Sequence, residues 1–426
     1  MKWVDNYKFK ILVSICLITS CYEAQAFCGF FAAKADTKLF NNSSRVVIAR
    51  DGNRTVLTME NDYKGEPSEF AMVIPVPVIP KEDDIRIGDS KAFERVDAYS
   101  APRLAEYFDT DPCQPGGFSL SMAPDTAALG AVGGYRFGPR VDNHGVSIEA
   151  EYTVGEYEIL ILSAKESNGL VTWLKENHYK IPDGAERIVK SYVKQEMYFF
   201  VAKVNLEQQR KSNYAHLRPL QIHFTHSRFM LPIRLGMVNA NGPQELFVYL
   251  FTKNGRVETT NYRTVKLPTG NQVPVNVKND FGGFYKDLFH HQYIREKKQA
   301  VFLEYAWDIS NQSSLKCDPC VTPPVEDEYL RSFGVDWITN QEYPLFITRL
   351  HLRYQIREFP QDLIFQETSN KENFQARYVI RHPWDGDSKC RAAERYKKFI
   401  LPQRRIEDIR ELQHLTGKLY SIEQFY

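Results

Sequence analysis

A chain of 426 residues with 43% hydrophobic and 13% aromatic content has enough apolar mass to bury a sizeable core, which excludes a disordered polymer. Its 54 basic and 53 acidic side chains nearly cancel, which argues against a nucleic-acid partner needing a broad basic face. Two domains are the natural expectation at this length.

The chain starts "MKWVDNYKFKILVSICLITSCYEAQA", with Lys2, Lys8 and Lys10, then an apolar run from Ile11 to Ile18, then Ala24-Gln25-Ala26. That order predicts a secretory signal peptide over residues 1–26. The apolar run is too short to span a membrane, and no later stretch approaches the length needed, so no transmembrane helix is expected in the mature chain. A second reading makes Ile18-Thr19-Ser20-Cys21 a lipobox, with a lipid anchor on Cys21. The expected location is therefore exported, periplasmic or extracellular, either free or tethered through Cys21.

After Cys28, "RVVIARDGNRTVLTMEND" predicts a hairpin turning at Asp51-Gly52. "EFAMVIPVPVIP" predicts a strand ended by prolines. "SAPRLAEYFD" reads as a short helix with Pro102 early in it. Residues 113–145 are rich in Gly, Ala, Ser and Pro and predict a flexible insertion with no periodic element. Within it, Tyr135, Arg136, Phe137 and Arg140 are the contacts proposed for a partner-binding loop.

"VSIEAEYTVGEYEILILSA" predicts two strands hinged at Gly155, and two amphipathic helices follow in "NGLVTWLKENHY" and "GAERIVKSYVKQEM". From Tyr198 to Leu267 the pattern is β again, in "YFFVAKVNL", "LQIHFTH", "RFMLPIRLG", "ELFVYLFT" and "ETTNYRTVKL". "GGFYKDLFHHQYIREKKQ" predicts a helix. "AVFLEYAW", "LFITRLHLRYQI", "LIFQET" and "ARYVIRHPW" predict strands, and a charged helix covers 403–415. The fold class expected is α+β, with antiparallel sheets or sandwich-like lobes and packed helices. The lobes are placed at 27–165, β-rich with the insertion 113–145, and at 166–426.

Past the leader five cysteines remain, Cys28, Cys113, Cys317, Cys320 and Cys390. In an exported chain their default use is disulfide formation, and sequence leaves the pairing open. Cys317-Asp318-Pro319-Cys320 has the spacing of a redox motif. However, Pro323-Pro324 denies it the following helix that lowers a thiol pKa, and no βαβ frame surrounds it. Zinc held by Cys317, Cys320, His382 and Cys390 departs from the two close-spaced couples of structural sites. Cys28 as an N-terminal nucleophile lacks a free α-amino group behind Phe27. The Cys317/Cys320 pair therefore reads as a staple to Cys28, Cys113 or Cys390. His223 and His226, three apart in a strand, fall on opposite faces. No HExxH, Walker A, kinase or G-x-S-x-G motif occurs. No cofactor, metal or catalytic residue is expected.

The stretches "CGFFAAKAD", "RTVLTMENDYKGEPSEFAMVIPVP", "DAYSAPRLAEYFDTDPC", "EYTVGEYEILILSA" and "RLGMVNANGPQELFVYLFT" resemble a bacterial family, domain of unknown function 2330. That resemblance implies an envelope location and a shared architecture, and it carries over no catalytic residues. Relatives often place a second Cys soon after the first, as in CGGxFC, whereas this chain has Cys28-Gly29-Phe30-Phe31-Ala32. A bridge from Cys28 would therefore reach a distant partner.

The functional expectation is a non-enzymatic envelope module that binds another protein, a surface polymer or a small ligand, or builds structure. The alternative is a thiol-dependent enzyme, a disulfide oxidoreductase or Cys hydrolase, using Cys317 and Cys320 or Cys28.

Overall fold

The computed structural model describes residues 30–33, 40–64, 70–114, 135–136, 146–164, 167–177, 179, 181, 184–205, 207, 217–240, 242–310, 323–339, 343–387 and 389–426. Cys21, Cys28, Cys317, Cys320, Phe137 and Arg140 lie outside them.

The strands are β1 (Phe30–Ala33), β2 (Phe40–Asp51), β3 (Arg54–Lys64), β4 (Phe70–Val76), β5 (Ile85–Ile87), β6 (Arg103–Phe108) and β7 (Tyr135–Arg136). They continue as β8 (Val146–Val154), β9 (Tyr157–Ala164), β10 (Tyr198–Val204), β11 (Leu220–Thr225), β12 (Met230–Leu231), β13 (Gln244–Thr252) and β14 (Val257–Thr259). The last are β15 (Arg263–Lys266), β16 (Ala300–Asp308), β17 (Phe346–Tyr354), β18 (Leu363–Glu367), β19 (Phe374–Gln375) and β20 (Arg377–His382). The helices are α1 (Ser90–Ser100), α2 (Ser167–Glu176), α3 (Ala185–Val193), α4 (Phe281–Arg295), α5 (Asp327–Ser332), α6 (Arg391–Arg395) and α7 (Leu401–Thr416).

Two large sheets face each other. One runs β1-β4-β10-β9-β8-β7, antiparallel throughout; the other runs β15-β16-β17-β13-β2-β3-β11-β5, with β19 added on β16. Strand alternation sends one set of side chains inward, where Met72, Ile74, Ile161 and Phe200 of the first sheet meet Val46, Ile48, Leu250 and Leu350 of the second. The alternate set faces outward. On the first sheet, Val73, Leu160, Phe199 and Val201 are covered by Leu170, Trp173 and Leu174 of α2 and Ile188, Val189 and Tyr192 of α3. On the second, Val47, Tyr249 and Phe251 are covered by Phe93 and Val96 of α1 and Leu330 of α5, while Phe302 is covered by Leu288 and Phe289 of α4. The order of layers is helix, sheet, sheet, helix, an α+β architecture with mostly antiparallel pairing.

Local signals explain the hairpins. Asp51 pairs with Arg54 across a two-residue turn in which Gly52 takes φ +55°. Gly155 turns β8 into β9 with φ +60°, and a Cβ there would meet Arg218 Nη2 at 2.8 Å.

One expectation is corrected. "SAPRLAEYFD" is not a helix. Helix α1 ends on the first residue of that stretch, Ser100, because Ala101 precedes Pro102 and is extended, and β6 then pairs in parallel with β20 from the far end of the chain. Of the insertion 113–145, residues 115–134 and 137–145 lie outside the described residues; Tyr135–Arg136 form edge strand β7 against Thr153 and Tyr152 of β8. Each large sheet draws strands from both sides of residue 165. In particular β2 pairs in parallel with β13, a long-range contact that alternation within either strand does not specify.

Candidate functional site

Strand β17 reads Arg349-Leu350-His351-Leu352-Arg353, so every second residue is ionisable, and the leucines point into the core between the sheets. Opposite it, Glu245, Phe247 and Tyr249 of β13 face Arg353, His351 and Arg349. On the other side β16 carries a bulge between Leu303 and Tyr305, where the register slips by one residue. The bulge lets both Glu304 and Tyr305 face outward, since Leu303 and Ala306 remain in the inner core.

Glu304 is fully buried and saturated. Its Oε2 accepts from Arg349 Nε at 2.5 Å, and its Oε1 lies 2.7 Å from His351 Nδ1 and accepts from the Tyr285 hydroxyl of α4. His351 Nε2 lies 2.7 Å from Glu245 Oε2, and Glu245 also pairs with Arg353. Arg349 continues to Asp97 Oδ1 at 2.8 Å, which accepts from Tyr249 Oη at 2.5 Å. The imidazole is stacked between Phe289 at 3.8 Å and Phe247 at 4.1 Å.

Burial works against the charges of Glu304 and His351, yet the ion pairs win. It would raise Glu304, but Arg349 and His351 hold that carboxyl down at about 2. It would lower His351, but Glu304 and Glu245 hold the imidazole above its ordinary value. Sandwiched between two rings and bonded through both nitrogens, His351 offers no face to a substrate. The cluster pins α1 and α4 to the sheet.

A second carboxylate–tyrosine–arginine cluster lies at the surface, where the C-terminal segment meets the end of β6. Asp109 Oδ2 accepts from Tyr396 Oη at 2.5 Å and from Arg404 Nη1 at 2.6 Å. Tyr396 and Arg404 are eight residues apart, about 80° apart around a regular helix. The stretch Tyr396–Ile400 between α6 and α7 is a π-turn, which absorbs roughly one residue and brings both groups to the same side. The turn thereby leaves Phe399 62% and Ile400 47% exposed.

Beside this turn runs an open groove of about 660 Å³, lined by Asn271, Gln272, Arg395, Phe399, Ile400, Gln403, Arg404, Glu407, Asp408 and Glu411. Asn271 donates to Glu411 Oε1 at 2.7 Å, while its buried Oδ1 finds no donor among the described residues. Gln272 donates to Asp408 Oδ1 at 2.8 Å, and the Asp408 carboxyl is raised by burial. The groove thus gathers aromatic, aliphatic, amide and ionic side chains along one open face.

Cys113 and Cys390 are bonded to each other, with Cα atoms 5.9 Å apart, fastening the start of α6 to the chain just beyond β6. The Cys317/Cys320 staple thus loses two of its three proposed partners, and zinc at Cys390 loses that ligand. His382, the other downstream zinc candidate, lies 2.9 Å from Glu106 Oε2 and stacks on Phe108 at 4.4 Å. Among the described residues no group of three or more His, Cys, Asp or Glu side chains is placed to hold a metal ion. Tyr135 and Arg136 stand on the sheet edge in β7, on the opposite sheet from the charge cluster. No helix of the described residues is long and apolar enough to cross a membrane.

Sequence reasoning missed both clusters. The lone Glu304 in "AVFLEYAW" and the Arg-Leu-His-Leu-Arg alternation were signals of a polar buried face, since a charge inside an apolar strand needs a partner.

Residues 22–366 match the model of a family described as "Uncharacterized protein conserved in bacteria (DUF2330)". The chain belongs to DUF2330. No curated protein and no solved structure matches the chain. The buried cluster around Glu304 lies wholly within the part matched to DUF2330, whereas Phe399, Ile400 and the other groove residues contributed by the C-terminal helices lie beyond it.

Proposed function

We propose that this protein is an exported envelope module that binds its target rather than transforming it, with the groove along the π-turn as its binding surface. The observation that carries the reading is the groove itself, with two adjacent exposed apolar side chains beside a buried, undonated Asn271 Oδ1. Asn271 Oδ1 is one of ten buried side-chain atoms without a partner among the described residues, so the exposed apolar pair on the groove carries the reading and the amide only adds to it. The bonded Cys113–Cys390 pair suits an oxidising compartment and supports the export reading. The ionic cluster around Glu304 is closed by stacked rings, which favours a structural role for it.

Two measurements test the proposal. Cell fractionation with thiol labelling should recover the protein outside the cytoplasm, with Cys113 and Cys390 protected until reduced; a cytoplasmic protein with free thiols would overturn export. Thiol titration and mass mapping should find no freely exchanging Cys317–Cys320 couple; a reactive, reducible one would favour the thiol-enzyme alternative.

A further inference from the structure

Between Lys389 and Arg405 the chain carries Lys389, Arg391, Arg395, Lys397, Lys398, Arg404 and Arg405 against the single acid Glu394. The whole-chain balance of +1 conceals this run. The π-turn places the two most conspicuous apolar side chains of the segment, Phe399 and Ile400, in the middle of it, and Arg391, Arg395, Lys397 and Lys398 are exposed around them. Several cations are held in position rather than left to wander. Lys397 donates to the Gly386 carbonyl at 2.8 Å with its ammonium 4.6 Å from the Trp384 ring, and Lys398 lies 5.5 Å from the Phe399 ring. Phe108, 66% exposed, immediately precedes the Asp109 that clamps the turn.

From this juxtaposition we infer that the π-turn face docks on an anionic lipid bilayer, with Phe399 and Ile400 entering the headgroup boundary and the surrounding Lys and Arg side chains meeting lipid phosphates. The inference rests on the binding role proposed above and names its target. Charge complementarity selects the occupant. With Arg404 spent on Asp109, five net positive charges remain between Lys389 and Arg405; a neutral polymer has no use for them, and a purely electrostatic polyanion site has no use for two adjacent exposed apolar side chains, whereas a membrane surface uses both. Acids flank the run: Glu407 lines the groove and is bonded to the neutral Gln403, and exposed Asp385 and Asp387 precede Lys389, so the cationic excess is confined to the stretch around Phe399 and Ile400. Asp408 is buried and bonded to Gln272 and Tyr426, and Glu411 is bonded to Asn271. The disulfide at Cys390 and the Asp109 clamp hold the face rigid at both ends, so docking orders little new chain.

The test is vesicle sedimentation with purified residues 27–426, which contain every described element. The probe is phosphatidylcholine vesicles with and without phosphatidylglycerol. Binding is expected with phosphatidylglycerol alone and should weaken as salt rises. Neutralising two cations in K397Q/K398Q should lower partitioning roughly 30-fold, at about a kilocalorie per charge. F399S/I400S should lower it at least about tenfold with the charge unchanged. Lys397 also contacts Gly386 and Trp384, so R391Q/K398Q is the companion variant should K397Q/K398Q lose its thermal transition. Equal binding to both vesicles, binding to neither, or binding indifferent to these variants would overturn the inference; so would capture of soluble polyphosphate without capture of vesicles. The assay uses purified protein, so a cytoplasmic location would sink the export reading without touching this one.

Discussion

The cluster around Glu304 and the clamp around Asp109 use the same chemistry, a carboxylate shared by an arginine and a tyrosine, in opposite surroundings. Glu304 is wholly enclosed, and every partner comes from a strand or helix already committed to the core. Asp109 sits at the rim and takes Tyr396 from the π-turn and Arg404 from α7, while Phe399 and Ile400 of the turn stand in solvent. Enclosure turns ionic groups into structural fasteners, because a buried charge tolerates nothing but its own partners. At the surface the same fastening sets the orientation of whatever projects beside it. One cluster thus holds the sheet to its helices, and the other presents a face.

The sharpest way to break that contrast is to cut into the buried cluster. E304A or H351A should destabilise the fold by about 3–5 kcal/mol, since each leaves buried partners uncompensated. Chemical denaturation would measure it, and a loss near that of a surface substitution would show that the cluster is not the fastener described. Replacing Cys113 or Cys390 with Ser should cost about 2–4 kcal/mol, matched by adding reductant to the unmodified protein. At the rim, D109N should cost less, about 1–2 kcal/mol, and should alter vesicle binding by freeing Tyr396 and Arg404. R391Q/K398Q, which spares the Lys397 contacts to Gly386 and Trp384, should change stability by no more than about 0.5 kcal/mol, its effect being confined to vesicle partitioning.

The pH dependence sharpens the same comparison. His351 is raised above its ordinary 6.5, so its contribution is complete below pH 6.5 and is lost as pH climbs through the raised value of the folded state. Glu304 runs the other way. It is lowered from 4.5 to about 2, so its contribution is complete above pH 4.5 and drains away as pH falls toward 2. Urea midpoints should therefore decline on both limbs, and H351Q should flatten the alkaline one. An alkaline limb unchanged in H351Q would mean that the imidazole is not held charged.

How much of this was legible depended on how local each cause was. The hairpins at Gly52 and Gly155 were readable, because the turn residues and the alternating flanks lie within one short window. Helices α2 and α3 were readable from their apolar spacing, and α4 and α7 were anticipated as helical segments without it. Strand β6 was misread as a helix because its pairing partner, β20, lies near the other end of the chain. The groove was illegible for a similar reason. Asn271 and Gln272 come from the loop after β15, while the rest of the lining comes from the C-terminal helices. Even the basic run from Lys389 to Arg405 was visible as letters, but whole-chain neutrality masked it.

By itself the sequence determined the α+β class, most of the elements, membership of the family, and the alternation that puts Arg349, His351 and Arg353 on one face of β17. Those properties follow from composition and from periods of two and 3.6 residues, which act within a single element. Only the tertiary structure decided that this ionic face is buried, that a one-residue slip in β16 aims Glu304 at it, and that Cys113 finds Cys390. It also decided that one extra residue in a helical turn sends Tyr396 and Arg404 inward to Asp109 and Phe399 and Ile400 out to solvent. Each of these depends on which distant segments meet, and that is set by the packing of the whole chain.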